Sequence, residues 1–241
     1  MIRPIHTHYG QLDCIVVDGG PSPSVAAVIC HGYGAPGHDL AGLCQPWING
    51  LGEDAERFRF VFPAAPLTLA ELGMPDGRAW WPLNMARMME AINANKFDEL
   101  HAHEPPGIVD ARDKLCEVID LVKEELGGKK TPLALGGFSQ GAMLTMDTAL
   151  RGTIDPPNLL IQFSGTVVCQ SQWQAAVDRL KNTPVYQSHG TADPILPFSS
   201  AIRLQELLSE GGVEVQFHAF DGPHTIDGES IDHTTEAMRK L

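Results

Sequence analysis

Basic residues are scarce in this 241-residue chain: 17 Lys and Arg stand against 30 Asp and Glu, a formal net charge of −13. Phosphate backbones and anionic lipid surfaces are held by clustered cations, so nucleic-acid binding and electrostatic attachment to a membrane are both disfavoured. Long apolar runs are missing too. No stretch approaches the roughly 20 residues that cross a bilayer, so integral membrane association is not expected. Met1 to Tyr9 contains no apolar h-region, and no signal peptide is read there. Cysteine is sparse: Cys14, Cys30, Cys44, Cys116 and Cys169 are odd in number, widely spaced and without a CxxC pair. Several lie in apolar runs, as buried free thiols of a reducing compartment do. The expectation is a cytoplasmic protein.

Low-complexity tracts and internal repeats are also lacking. With 43% hydrophobic and 20% charged residues, the composition is that of a globular chain, which excludes wholesale disorder. The length suits a single domain, residues 1–241, with one large core.

What is present is alternation. Short apolar runs, read as strands, occur at Leu12–Val17, Val25–Cys30, Phe58–Phe62, Leu133–Gly137, Leu159–Phe163, Val185–Ser188 and Val213–Phe220. Several are apolar at nearly every position, as strands covered on both faces are. Val213–Phe220 alternates more, which places it nearer an edge. Between them lie amphipathic segments. Ile108, Ala111, Leu115, Val118, Ile119, Val122 and Leu126 recur at helical spacing, and Gly127-Gly128 ends that helix. Further helices are expected at Asp39–Leu51, Gln140–Leu150, Ser171–Leu180, Phe198–Ser209 and Glu229–Leu241. Strands followed by helices imply right-handed crossovers, hence an α/β fold with a mostly parallel central sheet and helices on both faces. Pro63 to Gly107 breaks the alternation. It carries Trp80-Trp81, a helix over Leu83–Asn93 and the polar stretch Lys96–Pro106, and reads as an insertion, lid-like or pocket-lining, over one end of the sheet.

Gly137-Phe138-Ser139-Gln140-Gly141 matches G-x-S-x-G. A serine on a tight strand-to-helix turn tolerates no bulk two residues to either side, and the turn aims a helix N-terminus at the reacting centre. The flanks supply that setting: Pro132–Gly136 is a buried-strand sequence, and Ala142–Met146 opens a buried helix. A serine hydroxyl needs a histidine to accept its proton and a carboxylate to orient that histidine, in the chain order Ser, acid, His. Asp193 follows the strand Val185–Ser188 in a Gly/Pro-rich turn. His224 follows the next strand. Of ten histidines, His218 lies within a strand and His233 within the last helix. Asp221 and Asp227 stand too close to His224 to be favoured as the acid. The oxyanion of an acyl-transfer intermediate needs two N–H donors. Gln140 supplies one, and Tyr33, in the His31-Gly32-Tyr33-Gly34 loop after Val25–Cys30, is the candidate for the other.

His31-Gly32-Tyr33-Gly34, Gly136-Gly137-Phe138-Ser139-Gln140-Gly141-Ala142, Asp193-Pro194-Ile195-Leu196-Pro197 and Gly222-Pro223-His224-Thr225-Ile226 together resemble the phospholipase/carboxylesterase family of the α/β-hydrolase superfamily, which includes acyl-protein thioesterases and small bacterial carboxylesterases. Arg78-Ala79-Trp80-Trp81-Pro82 is similar to that family's aromatic segment near the active-site mouth. The resemblance implies an α/β-hydrolase fold, the triad Ser139, Asp193 and His224, and oxyanion donors at Tyr33 and Gln140. The implied activity is hydrolysis of a small-molecule ester or thioester, as a carboxylesterase, lysophospholipase or acyl thioesterase. Cys30, Pro223 and the long Leu83–Gly107 segment depart from the family pattern, and the last of these borders the acyl site.

Trp80, Trp81, Met85, Met88 and Met89 are candidates for an apolar acyl pocket; packing within the insertion would use the same side chains. No cofactor or metal is expected. A metallohydrolase built on His101, His103 and Glu104 lacks an HExxH pattern. A non-catalytic protein that keeps the fold is also compatible with these residues, as is an amidase or peptidase with the same triad. A homodimer is compatible with the sequence, though no segment specifies one.

Overall fold

Val25–Cys30 carries no polar side chain except a thiol, and all six residues are buried, because helices cover both faces of the sheet they centre. The computed structural model describes residues 4–94, 96 and 98–241, apart from the side chains of Met85, Arg87, Met89, Asn93, Asp98 and Glu99. The chain enters through an antiparallel pair, β1 (Ile5–Tyr9) and β2 (Leu12–Asp18). It continues through β3 (Val25–Cys30) and α1 (Cys44–Leu51) to β4 (Phe58–Pro63). A short ribbon of β5 (Leu67–Thr68) and β6 (Arg78–Ala79) follows, then α2 (Met85–Asn93) and α3 (Asp98–His101). Regular alternation then sets in: α4 (Ile108–Glu125), β7 (Leu133–Phe138), α5 (Gln140–Arg151), β8 (Leu159–Phe163) and α6 (Gln170–Ala176). It ends with β9 (Val185–Gly190), α7 (Phe198–Glu210), β10 (Val215–Phe220) and α8 (Gly228–Met238).

The main sheet runs β1-β2-β4-β3-β7-β8-β9-β10, with β1 and β2 antiparallel and the strands from β4 to β10 parallel. The pleat sends Ala26, Val28 and Cys30 to the face packed by α4, α5, α6 and α7. Val25, Ala27 and Ile29 go to the face packed by α1 and α8. Each Val or Ile side chain so buried contributes roughly 1.5–3 kcal/mol. From Gln140 to Leu150 every residue of α5 is buried, so the helix behind the sheet's centre has no solvent stripe.

Parallel strands end together, and a parallel sheet therefore collects its loops along one edge. That edge carries the loops after β3, β7, β9 and β10, and the cavity there is lined by Gly32, Tyr33, Ser139, Leu196 and His224 together with part of the 83–106 segment. That segment is fastened at its C-terminal end. His101 Nε2 lies 3.1 Å from Ser200 Oγ and 3.3 Å from Thr166 Oγ1, Arg151 bonds Glu104 at 2.8 Å, and Cys169 N–H donates to the His103 carbonyl. All five cysteines are buried and free. No helix of the described residues is long and apolar enough to cross a membrane.

Several local expectations differ from the structure. Asp39–Leu51 is not one helix: a 3-10 turn, Asp39–Leu43, precedes α1. Pro46 lacks an N–H and its ring would crowd the Gly42 carbonyl of a continuous helix, so it is confined to a first turn and α1 starts at Cys44. Val213 is outside β10 because its N–H caps α7 by donating to Leu208. Lys96–Pro106 is not wholly a polar loop; α3 lies inside it, and His101 is buried. The last helix stops at Met238, three residues short of the expected end.

Candidate active site

Ser139 occupies the turn between β7 and α5 with φ 54° and ψ −117°, a left-handed conformation that a non-glycine residue adopts only when its surroundings enforce it. They do so here from both sides. A Cβ on Gly137 would meet the Gly141 backbone at 2.4 Å, and one on Gly141 would meet the Cys30 carbonyl at 2.1 Å. The Ser139 N–H donates to the Phe163 carbonyl at 2.9 Å, which pins the turn to the end of β8.

Asp193 sits in the loop after β9 with its carboxylate shielded from solvent. Oδ1 accepts the N–H groups of Ile195 (2.8 Å) and Leu196 (2.9 Å), while Oδ2 lies 2.6 Å from His224 Nδ1 and 3.2 Å from His189 Nε2. Burial alone would raise its pKa, but the bonds from His189, His224 and the Leu196 N–H outweigh that and hold the carboxyl far below the usual range. His224, in the loop after β10, keeps only its rim exposed and packs its ring 4.7 Å from that of Phe138. Because a carboxylate only accepts, His224 Nδ1 carries the hydrogen and Nε2 is left to accept a proton.

His224, Ser139, Tyr33 and Gln140 border one cavity of about 630 Å³. Among the described contacts the Ser139 hydroxyl makes no hydrogen bond to His224; such bonds are often long before substrate arrives. The Tyr33 loop is set by His31. The Nε2 of His31 accepts the Ala65 N–H at 3.0 Å, and Nδ1–H therefore donates to the Gly32 carbonyl at 2.8 Å. Burial lowers the His31 pKa, against the smaller upward effect of the Gly32 bond. The Tyr33 N–H bonds no group among the described residues, while the neighbouring Gly34 N–H is taken by the Arg78 carbonyl. Gln140 offers its backbone N–H at the start of α5, and its side chain serves elsewhere. Oε1 accepts the Trp80 N–H and Nε2 donates to the Trp81 carbonyl, both at 2.9 Å.

The acyl-pocket candidates divide. Trp81 and Met88 line the cavity, beside Leu83, Leu100 and Val167. Trp80 is absent from the lining and must be corrected: adjacent residues of an extended segment point opposite ways, and its indole packs against the His31–Gly34 loop, donating to the His31 carbonyl at 2.8 Å. The side chains of Met85 and Met89 lie outside the described residues. His101 and Glu104 do not converge on a metal position, since their contacts run to Ser200 and Thr166 and to Arg151. Among the described residues one group has ligand atoms close enough to share an ion: His218, Asp227 and Glu229. There His218 Nε2 and Asp227 Oδ2 pair with each other at 3.0 Å, and Asp227 Oδ1 accepts the Ser230 N–H. The residues missed by sequence reasoning are His189 and Ser164, both polar residues at strand ends with no local motif to mark them.

The profile of the Phospholipase/Carboxylesterase family matches residues 12–241. Acyl-protein thioesterase 1 of Debaryomyces hansenii is 32% identical over 217 residues, covering 87% of this chain and 88% of that protein. Acyl-protein thioesterase 1 of Emericella nidulans is 27% identical over 236 residues, covering 90% of each. Among solved structures, esterase PE8 is similar with a TM-score of 0.77 and 26% identity, over 96% of this chain and 100% of that one. The fold is therefore that of the α/β-hydrolases, and the chain belongs to the phospholipase/carboxylesterase family.

Proposed function

We propose that the chain, acting as one α/β-hydrolase domain, is a serine hydrolase that cleaves carboxylic esters and thioesters through an acyl intermediate on Ser139. The observation that carries this is the 2.6 Å contact between His224 Nδ1 and Asp193 Oδ2 beside a serine held at φ 54° on the same cavity. The names of the similar proteins, acyl-protein thioesterases and an esterase, agree with it.

In the proposed cycle Ser139 Oγ attacks the carbonyl carbon and passes its proton to His224 Nε2. Asp193 orients the imidazole and stabilises its charged form. The oxyanion accepts the N–H groups of Tyr33 and Gln140, the latter aided by the α5 N-terminus. His224 then protonates the departing alkoxide or thiolate, and water, activated by the same histidine, releases the acid. The buried free thiols support a reducing compartment, which we take to be the cytoplasm.

The test is intact-mass analysis after fluorophosphonate treatment, followed by ester and thioester assays. One adduct on the native chain and none on Ser139→Ala is expected. No adduct on folded native protein would instead favour a binding protein that retains the fold.

A further inference from the structure

The carboxylate of Asp193 has two histidine neighbours, and the proposed cycle uses one. The other, His189, stands at the end of β9 with Nε2 3.2 Å from Asp193 Oδ2 and 2.9 Å from the Leu196 carbonyl oxygen. Both neighbours are acceptors, so Nε2 carries a hydrogen and shares it between them. On the opposite side of the ring, Nδ1 is buried and has no partner among the described residues. The whole residue is shut off from solvent, with Phe198 of α7 beside it. A second proton, at Nδ1, would bury a charge whose N–H meets no acceptor, and this is costly. The surroundings therefore hold a neutral imidazole that donates through Nε2.

A neutral donor does what a cationic one would not: it fixes the carboxylate without cancelling the charge that a protonated His224 needs. Oδ1 is already held by the N–H groups of Ile195 and Leu196, and His189 grips both Oδ2 and the Leu196 carbonyl, so one ring secures the acid and the loop that carries it. Resting on the assignment of Ser139, His224 and Asp193 as the triad, we infer that His189 is a positioning residue for the catalytic acid, holding Oδ2 against His224 and tempering its basicity.

The titratable groups facing this carboxylate are His189 from β9 and His224 from the loop after β10. The other elements packed there present Phe198 from α7 and Phe138 from the β7 turn, neither charged. His218 and Asp227 flank the His224 loop but pair with each other, and Asp221 points to solvent.

His189→Phe keeps a flat ring and removes the donor, whereas His189→Gln supplies an amide donor. The phenylalanine variant is expected to lose about tenfold in kcat with KM little changed, as misoriented catalytic groups do. Its acid-limb midpoint should move up by about half a pH unit, since an oxygen relieved of one donor stabilises the imidazolium more. His189→Gln should recover both. His189→Asn, with an amide too short to reach Asp193, serves as the donor-free variant if the phenylalanine protein does not fold. A folded donor-free variant with native kcat and midpoint overturns the inference. So does a loss of rate that merely follows the melting temperature with the midpoint unmoved. Fluorophosphonate labelling of the native chain separates the two levels. Without it the triad assignment fails; with it, and with unaffected donor-free variants, only the role of His189 fails.

Discussion

The hydroxyl of Ser164 donates to the carbonyl of Thr225 at 3.1 Å, tying the end of β8 to the residue that follows His224. The residue before it, Phe163, accepts the Ser139 N–H. Two consecutive residues thus set the separation between the proposed nucleophile and base. Ser164 holds φ 47°, a left-handed conformation.

Ser164→Ala removes the tether and keeps the strain, and kcat is expected to fall about tenfold while KM stays within a factor of about two. Ser164→Gly should lose similar activity yet be more stable than Ser164→Ala by about 1 kcal/mol, because glycine adopts positive φ freely. Steady-state kinetics and urea denaturation decide the matter. Native kcat in the alanine variant would show that Thr225 is positioned without Ser164.

The Gln140 side chain bridges the Trp80 N–H and the Trp81 carbonyl. Gln140→Ala leaves both backbone groups buried without partners, at a cost of about 2–3 kcal/mol in chemical denaturation. The backbone N–H at position 140 survives, so the proposed oxyanion donor is kept while Trp81, on the cavity wall, is freed. KM should rise more than kcat falls. A collapse of kcat with native KM would place the side chain in the chemistry itself.

Strands buried on both faces were legible from their apolar runs: Val25–Cys30 begins and ends where its run does, and Leu159–Phe163 is broken only by Gln162, which is buried and donates to Thr145 Oγ1. The Ser139 turn was legible because a Cβ at position 137 would meet the Gly141 backbone at 2.4 Å, which leaves glycine no alternative there. Asp193 and His224, each read from its place after a strand, come together at 2.6 Å. What stayed hidden depends on partners remote in sequence. His189 looks like any strand histidine until Asp193 and Leu196 fold back over it. β1, with His6 and His8 on an exposed edge, shows no apolar alternation to detect. Trp80 and Trp81 differ only in the direction they point, which their sequence does not carry.

Acid should destabilise the fold in two stages, and the signs differ in origin. His31 is held neutral in the fold, with a pKa below its ordinary value. As pH drops through the ordinary histidine range, the unfolded chain takes up a proton that folded His31 refuses, so stability falls. Asp193 is depressed in the fold; its contribution persists above the ordinary aspartate value and is lost as pH falls below it. The melting temperature should therefore drop first between about pH 7 and 5, and again below about pH 4. In His31→Gln the first drop should be smaller than in the native chain. An equal drop would assign it to other histidines.

Met88 lies half-buried on α2 and borders the cavity together with Leu83, Trp81 and Leu100. If the acyl chain runs along this wall, Met88→Trp fills the space that a long chain occupies and leaves the surroundings of Ser139 untouched. An acetyl ester reaches only the reacting end, so its kcat/KM should stay native. An octanoyl ester should lose about tenfold or more, since each methylene excluded from an apolar pocket costs roughly 1–3 kcal/mol. Met88→Ala should act in the opposite sense on size, admitting bulkier chains at some cost in affinity for the octanoyl ester. The measurement is a chain-length series of p-nitrophenyl esters on the three proteins. Equal losses for acetyl and octanoyl substrates in Met88→Trp would mean that α2 supports the site without touching the acyl chain, and the chain would then have to lie against other lining residues such as Ile195 and Leu196.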